Sequence, residues 1–331
     1  MFVAGRRIYF EAQPDVGDTD RDVAGEPGAF DGKSNGCWRR FPPLPYIIGA
    51  DPPDAPAMPN ARNAPTFIRV RDIEICYEIR GAGPRLLKIW GTGGDLRRPA
   101  TDFDRQLAEN FTVLAFDQRG MGRSGKPARD YSMADYADDA AGLMAALGWE
   151  SAAVLGYSFG GMVAQELALR HPALVSRLVL MSTSAGGAGG MSYPMHELAE
   201  LEDEARVKRF LELADKRRTP QWQAEHATLW QSLLSDGLIA LRQGDEDPAS
   251  RAGAARQMAA RRGHDTWERL PQLAMPAAVF AGRFDAIAPP EVQRRLAGRI
   301  AGAEFREFNG GHLFFVQDPA AMRVVLDSLL G

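Results

Sequence analysis

The chain has 331 residues, of which 45% are hydrophobic and 25% charged, with a formal net charge of −4. A chain of that length buries one large core, so one catalytic domain with decorations is expected. Its basic residues come in scattered pairs such as Arg97-Arg98 and Arg217-Arg218, which excludes a phosphate-tracking patch and nucleic acid as a partner.

Residues 1–64 are crowded with Gly, Pro, Asp and Arg and show neither strand nor helix periodicity. They are read as an N-terminal extension of little order, with Met58 as an alternative start of translation. Met1 to Phe10 contains Arg6-Arg7 but no apolar stretch of signal-peptide length, and nowhere do about 18 apolar residues follow one another. A protein that crosses no membrane is expected. Cys37 and Cys76 are the only cysteines, too few for a disulfide framework or a thiolate metal site, and they fit a reducing cytoplasm.

Strand pattern begins at Thr66–Val70. Apolar runs then alternate with helical patterns: Leu86–Trp90 then Phe103–Leu107, Phe111–Phe116 then Met133–Leu147, Ala152–Gly156 then Met162–Leu169. Such alternation predicts a mostly parallel central sheet with helices on both faces. After Leu178–Met181 comes Gly186-Gly187-Ala188-Gly189-Gly190, and beyond it helix-spaced apolar residues among many charges, read as an inserted helical cap. The glycines serve there either as a hinge or as a plain connector. Strand pattern returns at Ala277–Phe280 and Glu304–Phe308, with helices at Val292–Ile300 and Pro319–Leu330. The expected division is extension 1–64, core 65–185, cap 186–269 and core again 270–331.

Between the strand Ala152–Leu155 and the helix from Met162 lies Gly156-Tyr157-Ser158-Phe159-Gly160, a nucleophile elbow. A reversal this sharp leaves no room for side chains beside the nucleophile, so glycines flank it and Ser158 is thrust outward. A hydroxyl needs a base, and His312, in Asn309-Gly310-Gly311-His312, follows the last strand pattern as such a base should. His171, His196, His226 and His264 fall at helix ends or in the cap and are read as structural. Asp285 ends the run Val279–Phe284 at the carboxyl end of a strand and completes the order Ser, Asp, His. The oxyanion of an attacked carbonyl would take the Phe159 N–H, at a helix N-terminus, and the Thr92 N–H, with Gly93 as the alternative to Thr92.

From about Thr66 onward the chain resembles the α/β-hydrolase superfamily, whose D-x-R-G-x-G-x-S turn is matched by Asp117-Gln118-Arg119-Gly120-Met121-Gly122-Arg123-Ser124. The resemblance implies an α/β-hydrolase fold in which that turn is structural, with Asp117 and Arg119 as a local salt bridge. Where the family commonly has His-Gly before the oxyanion residue, this chain has Trp90-Gly91, so the indole must change how that loop packs. Thr92 stands where a bulky apolar residue is frequent, and its hydroxyl is a candidate third donor. Relatives that cleave carbon–halogen bonds or epoxides carry Asp at the elbow, so Ser158 disfavours those chemistries.

A cofactor-free serine hydrolase of a small carboxylic ester, working through an acyl-enzyme, is therefore expected. No metal-ligand spacing is present. Lactonase, carbon–carbon bond hydrolase and cofactor-free perhydrolase are alternatives on the same triad, and a non-catalytic binding protein is an alternative of another class. Trp90 and Tyr157, with Phe210, Trp230, Tyr193, Trp222, Met191 and Met195 of the cap, are candidates for a pocket around an apolar acyl or aryl group, or for ordinary core. Gly120-Met121-Gly122-Arg123-Ser124-Gly125 spells a dinucleotide fingerprint, but Lys126-Pro127-Ala128-Arg129 follows where a helix should open.

Overall fold

The computed structural model describes residues 65–244 and 247–331. The extension expected at 1–64, the alternative start at Met58 and Cys37 lie outside the described residues.

A hairpin opens the fold, β1 (Thr66–Val70) pairing antiparallel with β2 (Ile73–Arg80) across Arg71-Asp72, where Arg71 takes a left-handed φ of 52°. Then come β3 (Arg85–Ile89), α1 (Asp102–Asn110), β4 (Thr112–Phe116), α2 (Met133–Ala146), β5 (Ala152–Tyr157), α3 (Phe159–Arg170) and β6 (Val175–Met181). Both α1 and α2 begin in capping boxes, Thr101 with Asp104 and Ser132 with Asp135, which satisfy free N–H groups of the first turn. Between β6 and β7 the chain forms α4 (Asp203–Ala214), α5 (Pro220–Glu225), α6 (Ala227–Gly244) and α7 (Pro248–Arg262). It ends with β7 (Ala277–Gly282), α8 (Pro290–Gly298), β8 (Glu304–Phe308), α9 (Phe314–Gln317) and α10 (Pro319–Leu330).

The eight strands run in the order β1-β2-β4-β3-β5-β6-β7-β8, parallel from β4 onward and antiparallel at β1 and β2. Alternate side chains of each strand enter different cores. Val154, Leu178, Leu180 and Val279 pack under α2, α3 and α8, while Ala153, Leu155, Val179 and Phe280 pack against α1, α9 and α10. Strand order reverses between β3 and β5, and the crevice at the carboxyl ends of strands at such a reversal is where an open α/β sheet binds ligands. The loops after β3 and β5, carrying Thr92 and Ser158, flank it.

The glycine run after β6 is a close-packed neck. Gly186 bridges to Asp265 on the returning chain, and a Cβ on Gly186 would lie 2.0 Å from the His264 carbonyl oxygen. Among the described residues no helix is long and apolar enough to cross a membrane.

Candidate active site

Ser158 lies between the end of β5 and the first residue of α3, with φ 53° and ψ −117°, a backbone state that costs a non-glycine residue about 1–3 kcal/mol. The surroundings hold it there. Its N–H donates to the Met181 carbonyl at 2.8 Å, and its carbonyl accepts the Thr183 hydroxyl at 2.8 Å. A Cβ on Gly160 would lie 2.1 Å from the Ile89 carbonyl oxygen, and one on Gly156 would lie 2.6 Å from that of Gly160, so both glycines are required by close backbone approach.

His312 lies in the loop after β8, 3% exposed, with its N–H donating to the Ala214 carbonyl at 2.6 Å. Its Nε2 is 3.0 Å from Ser158 Oγ and its Nδ1 is 2.8 Å from Asp285 Oδ2. Asp285, after β7, is fully buried, and its other carboxylate oxygen accepts the N–H groups of Ile287 at 2.8 Å and Ala288 at 2.9 Å. Three donors thus hold the two carboxylate oxygens, which fixes the plane of the carboxylate and through it the imidazole. Three residues far apart in sequence form one hydrogen-bonded run.

A family comparison decides the class: the model of the alpha/beta hydrolase fold family matches residues 86–319. The chain belongs to that family. It is similar to an uncharacterized protein of Mycobacterium tuberculosis (strain H37Rv), 31% identical over 266 residues, which is 77% of each chain. Among solved structures it is similar to a hydrolase from Pseudomonas aeruginosa PA01, at 30% identity and a TM-score of 0.67 over 82% of this chain and 100% of that one. It is also similar to the enol-lactonase from Burkholderia xenovorans LB400, at 25% identity and a TM-score of 0.66 over 80% of this chain and 100% of that one.

In this alpha/beta hydrolase the two oxyanion candidates differ in availability. The Gly93 N–H donates to Gln257 Oε1 at 2.9 Å, whereas the N–H groups of Thr92 and Phe159 have no partner among the described residues. Tyr157 stands beside His312, with ring centroids 5.2 Å apart, and Trp90 stands beside Tyr157 at 5.1 Å. The Trp90 indole turns into this aromatic group, with Phe315 edge-on at 6.1 Å, and the Trp90 carbonyl accepts Gln118 Nε2. Burial and the nearby Asp285 push the Tyr157 phenol well above its ordinary pKa, so it stays neutral. Trp230 is elsewhere. It packs with Val207, Leu211 and Leu234 between α4 and α6, with Phe210 and Trp222 against that cluster, and Phe210 also packs against Leu198, Leu213, Ala214 and Ile287. A hollow of about 350 Å³ between α7 and the start of α2, lined by Tyr131, Glu166 and His264, does not reach Ser158.

The turn at 117–124 corrects one expectation. Asp117 and Arg119 do not pair: Asp117 accepts the N–H groups of Leu96 at 2.7 Å and Arg123 at 2.9 Å, while Arg119 binds Asp139 on α2 at 2.6 Å and Asp72 at 3.0 Å. Arg119 stands where the chain turns after β4, and its guanidinium is carried to the carboxylates of α2 and of the β1–β2 hairpin turn instead. Burial pushes the Asp117 carboxyl up to about 6, against the pull of its two N–H donors. Gly122 sits against the Asp117 carboxylate and helical structure begins only at Met133, so the dinucleotide spelling belongs to this turn.

Other positioning residues carry no motif. Ser182 Oγ donates to the His312 carbonyl at 2.8 Å, and the Thr183 N–H is 3.4 Å from Oε1 of the buried Gln293, so the end of β6 holds both the elbow and the histidine loop. The remaining histidines are paired structurally where partners are seen: His171 with Asp138, His226 stacked on Trp222, and His264 with the Ser184 carbonyl.

Proposed function

We propose that this chain hydrolyses a small carboxylic ester or lactone through an acyl-enzyme on Ser158. Ser158 Oγ attacks the carbonyl carbon as His312 Nε2 takes its proton, and Asp285 holds Nδ1–H and offsets the imidazolium charge. The tetrahedral oxyanion receives the N–H groups of Phe159 and Thr92. His312 returns the proton to the leaving alcohol, and water attacks the acyl-enzyme by the reverse path. No step calls on a cofactor. A lactone is a cyclic ester, so the same steps open its ring; the likeness to the Burkholderia enol-lactonase favours including it. The partly exposed Trp90, packed on the buried Tyr157, suits an apolar acyl or aryl group. On this reading the segments 65–185 and 270–331 are one catalytic core, 186–269 is its cap, and the enzyme works in the cytoplasm.

The supporting observation is the continuous run from Asp285 through His312 to a serine on a strained elbow. The test is hydrolysis of p-nitrophenyl esters of short and medium acyl chains, with Ser158→Ala in parallel. Turnover should fall at least about 10³-fold in the variant. Equal turnover by the two proteins, or none by wild type on any ester or lactone, removes the reading.

A further inference from the structure

Helix α7 crosses the carboxyl edge of the sheet. Its Gly253 packs against Gly120, beyond β4; Gln257 binds Gly93, beyond β3; and His264, just past its end, binds the Ser184 carbonyl, beyond β6. A helix advances about 6 Å in four residues and neighbouring strands lie about 4.8 Å apart. The stretch from Gln257 to His264 therefore spans the end of β5, where Ser158 stands.

Two buried polar side chains lie one turn apart on this stretch. Gln257 is fully buried; its Oε1 is fixed on the Gly93 N–H, which leaves Nε2 without a partner. Arg261 is 6% exposed; Nη1 donates to the Tyr193 carbonyl and Nη2 to Ser192 Oγ, while Nε is without a partner. No carboxylate faces this guanidinium among the described residues, and burial alone lowers its pKa to about 10. A buried cation without a counter-ion and a buried amide with an idle N–H are both costly unless something anionic joins them. The Tyr193 N–H donates to the Ile287 carbonyl, two residues past Asp285, so Arg261 is tied to the acid side of the triad and Gln257 to the oxyanion side.

The geometry points to a carboxylate subsite built by Gln257 and Arg261 over Ser158, so that the preferred ester or lactone carries a free carboxylate at the far end of its acyl chain. This rests on the hydrolase reading above. Arg261 is a specificity residue: it offers a charged N–H to the distant carboxylate and takes no part in bond making.

The experiment compares p-nitrophenyl hydrogen glutarate with p-nitrophenyl valerate, on wild type, Arg261→Met and Gln257→Leu, with fluorophosphonate labelling of each protein. Wild type should favour the acid-tailed ester, and Arg261→Met should lower the ratio of kcat/KM for acid-tailed over neutral ester by roughly ten- to a hundred-fold, the size of a charged hydrogen bond, chiefly through KM. Wild type alone gives a second measurement should a variant not fold: glutarate should inhibit valerate hydrolysis competitively, and glutaramide should not. Indifference of wild type to the carboxylate, or an unchanged ratio in Arg261→Met, overturns the subsite while the hydrolase reading stands. Absence of both labelling and turnover in wild type overturns the hydrolase reading itself.

Discussion

Replacing Asp285 by Asn separates the acid's structural work from its chemical work. The carboxylate makes three buried contacts: Oδ1 with the N–H groups of Ile287 and Ala288, and Oδ2 with His312 Nδ1 at 2.8 Å. An Asn of the same shape keeps its oxygen on the two N–H groups, so stability should change by less than about 1 kcal/mol. Its amide nitrogen would then face Nδ1 as a donor, which forces the proton of the imidazole onto Nε2, the atom that must accept from Ser158. A neutral imidazole in that tautomer is no base for the serine. Turnover should drop by about 10³- to 10⁴-fold, equivalent to about 4–5.5 kcal/mol at the transition state. Asp285→Ala instead strands two N–H groups and the imidazole, and should cost about 3 kcal/mol or more of stability as well. The assay is ester turnover under saturation with a thermal melt of each protein. Asp285→Asn that folds and turns over at the wild-type rate would refute the assignment of Asp285 as the residue that orients the base.

Gly160→Ala would place a methyl 2.1 Å from the Ile89 carbonyl oxygen and 2.6 Å from that of Trp90, both backbone atoms of the chain leading to Thr92. It should lower stability by about 1–3 kcal/mol and kcat/KM by about 10²-fold, because the oxyanion loop is displaced; melting and ester kinetics that match wild type would contradict the close packing. His264 is 2% exposed and burial lowers its pKa to about 4, below the value near 6.5 of a free histidine. As pH falls through that window the unfolded chain takes up the proton first, so the stability held above about pH 6.5 is lost toward pH 4, by about 3 kcal/mol. His264→Gln keeps a donor for the Ser184 carbonyl without the proton uptake, and its melting temperature should fall less between pH 6.5 and 4. The raised Asp117 carboxyl acts with the opposite sign, favouring the folded state at the acid end, but it is common to both proteins and cancels in the comparison.

The elbow was legible because its demands are local. A strand, a strained turn and a helix N-terminus within ten residues need small neighbours at fixed offsets, and Gly156 and Gly160 state them. His312 and Asp285 could be picked out because strand ends are visible as apolar runs and the chemistry restricts residue type. β2 is not among the expected elements, although Ile73-Glu74-Ile75-Cys76 alternates as a strand should, because an antiparallel hairpin lies outside the strand–helix alternation that marks the rest of the sheet. Trp230 and Phe210 stayed open between pocket and ordinary core, because helix spacing shows that a residue is buried without showing against what. Ser182, Thr183 and Gln257 gave no signal at all: their partners are backbone groups as far as 164 residues away, which no local pattern encodes. Arg119 failed for the same reason in reverse, since its partners Asp72 and Asp139 are joined to it only by folding.

The segment between β6 and β7 is hydrogen-bonded to the loops that carry Asp285, His312 and Gly93. Ala214 of α4 accepts the His312 N–H, Leu213 accepts that of Ala286 beside Asp285, Phe284 accepts that of Lys216, and Gln257 of α7 accepts that of Gly93. Lifting this segment as a rigid lid would break these bonds and loosen the loops of His312, Asp285 and Gly93 together. The close-packed neck at Gly186 also gives no free pivot for such a motion. Under the proposed hydrolase reading, substrate enters by smaller side-chain or loop movements, and the segment between β6 and β7 is a fixed wall of the site rather than a lid.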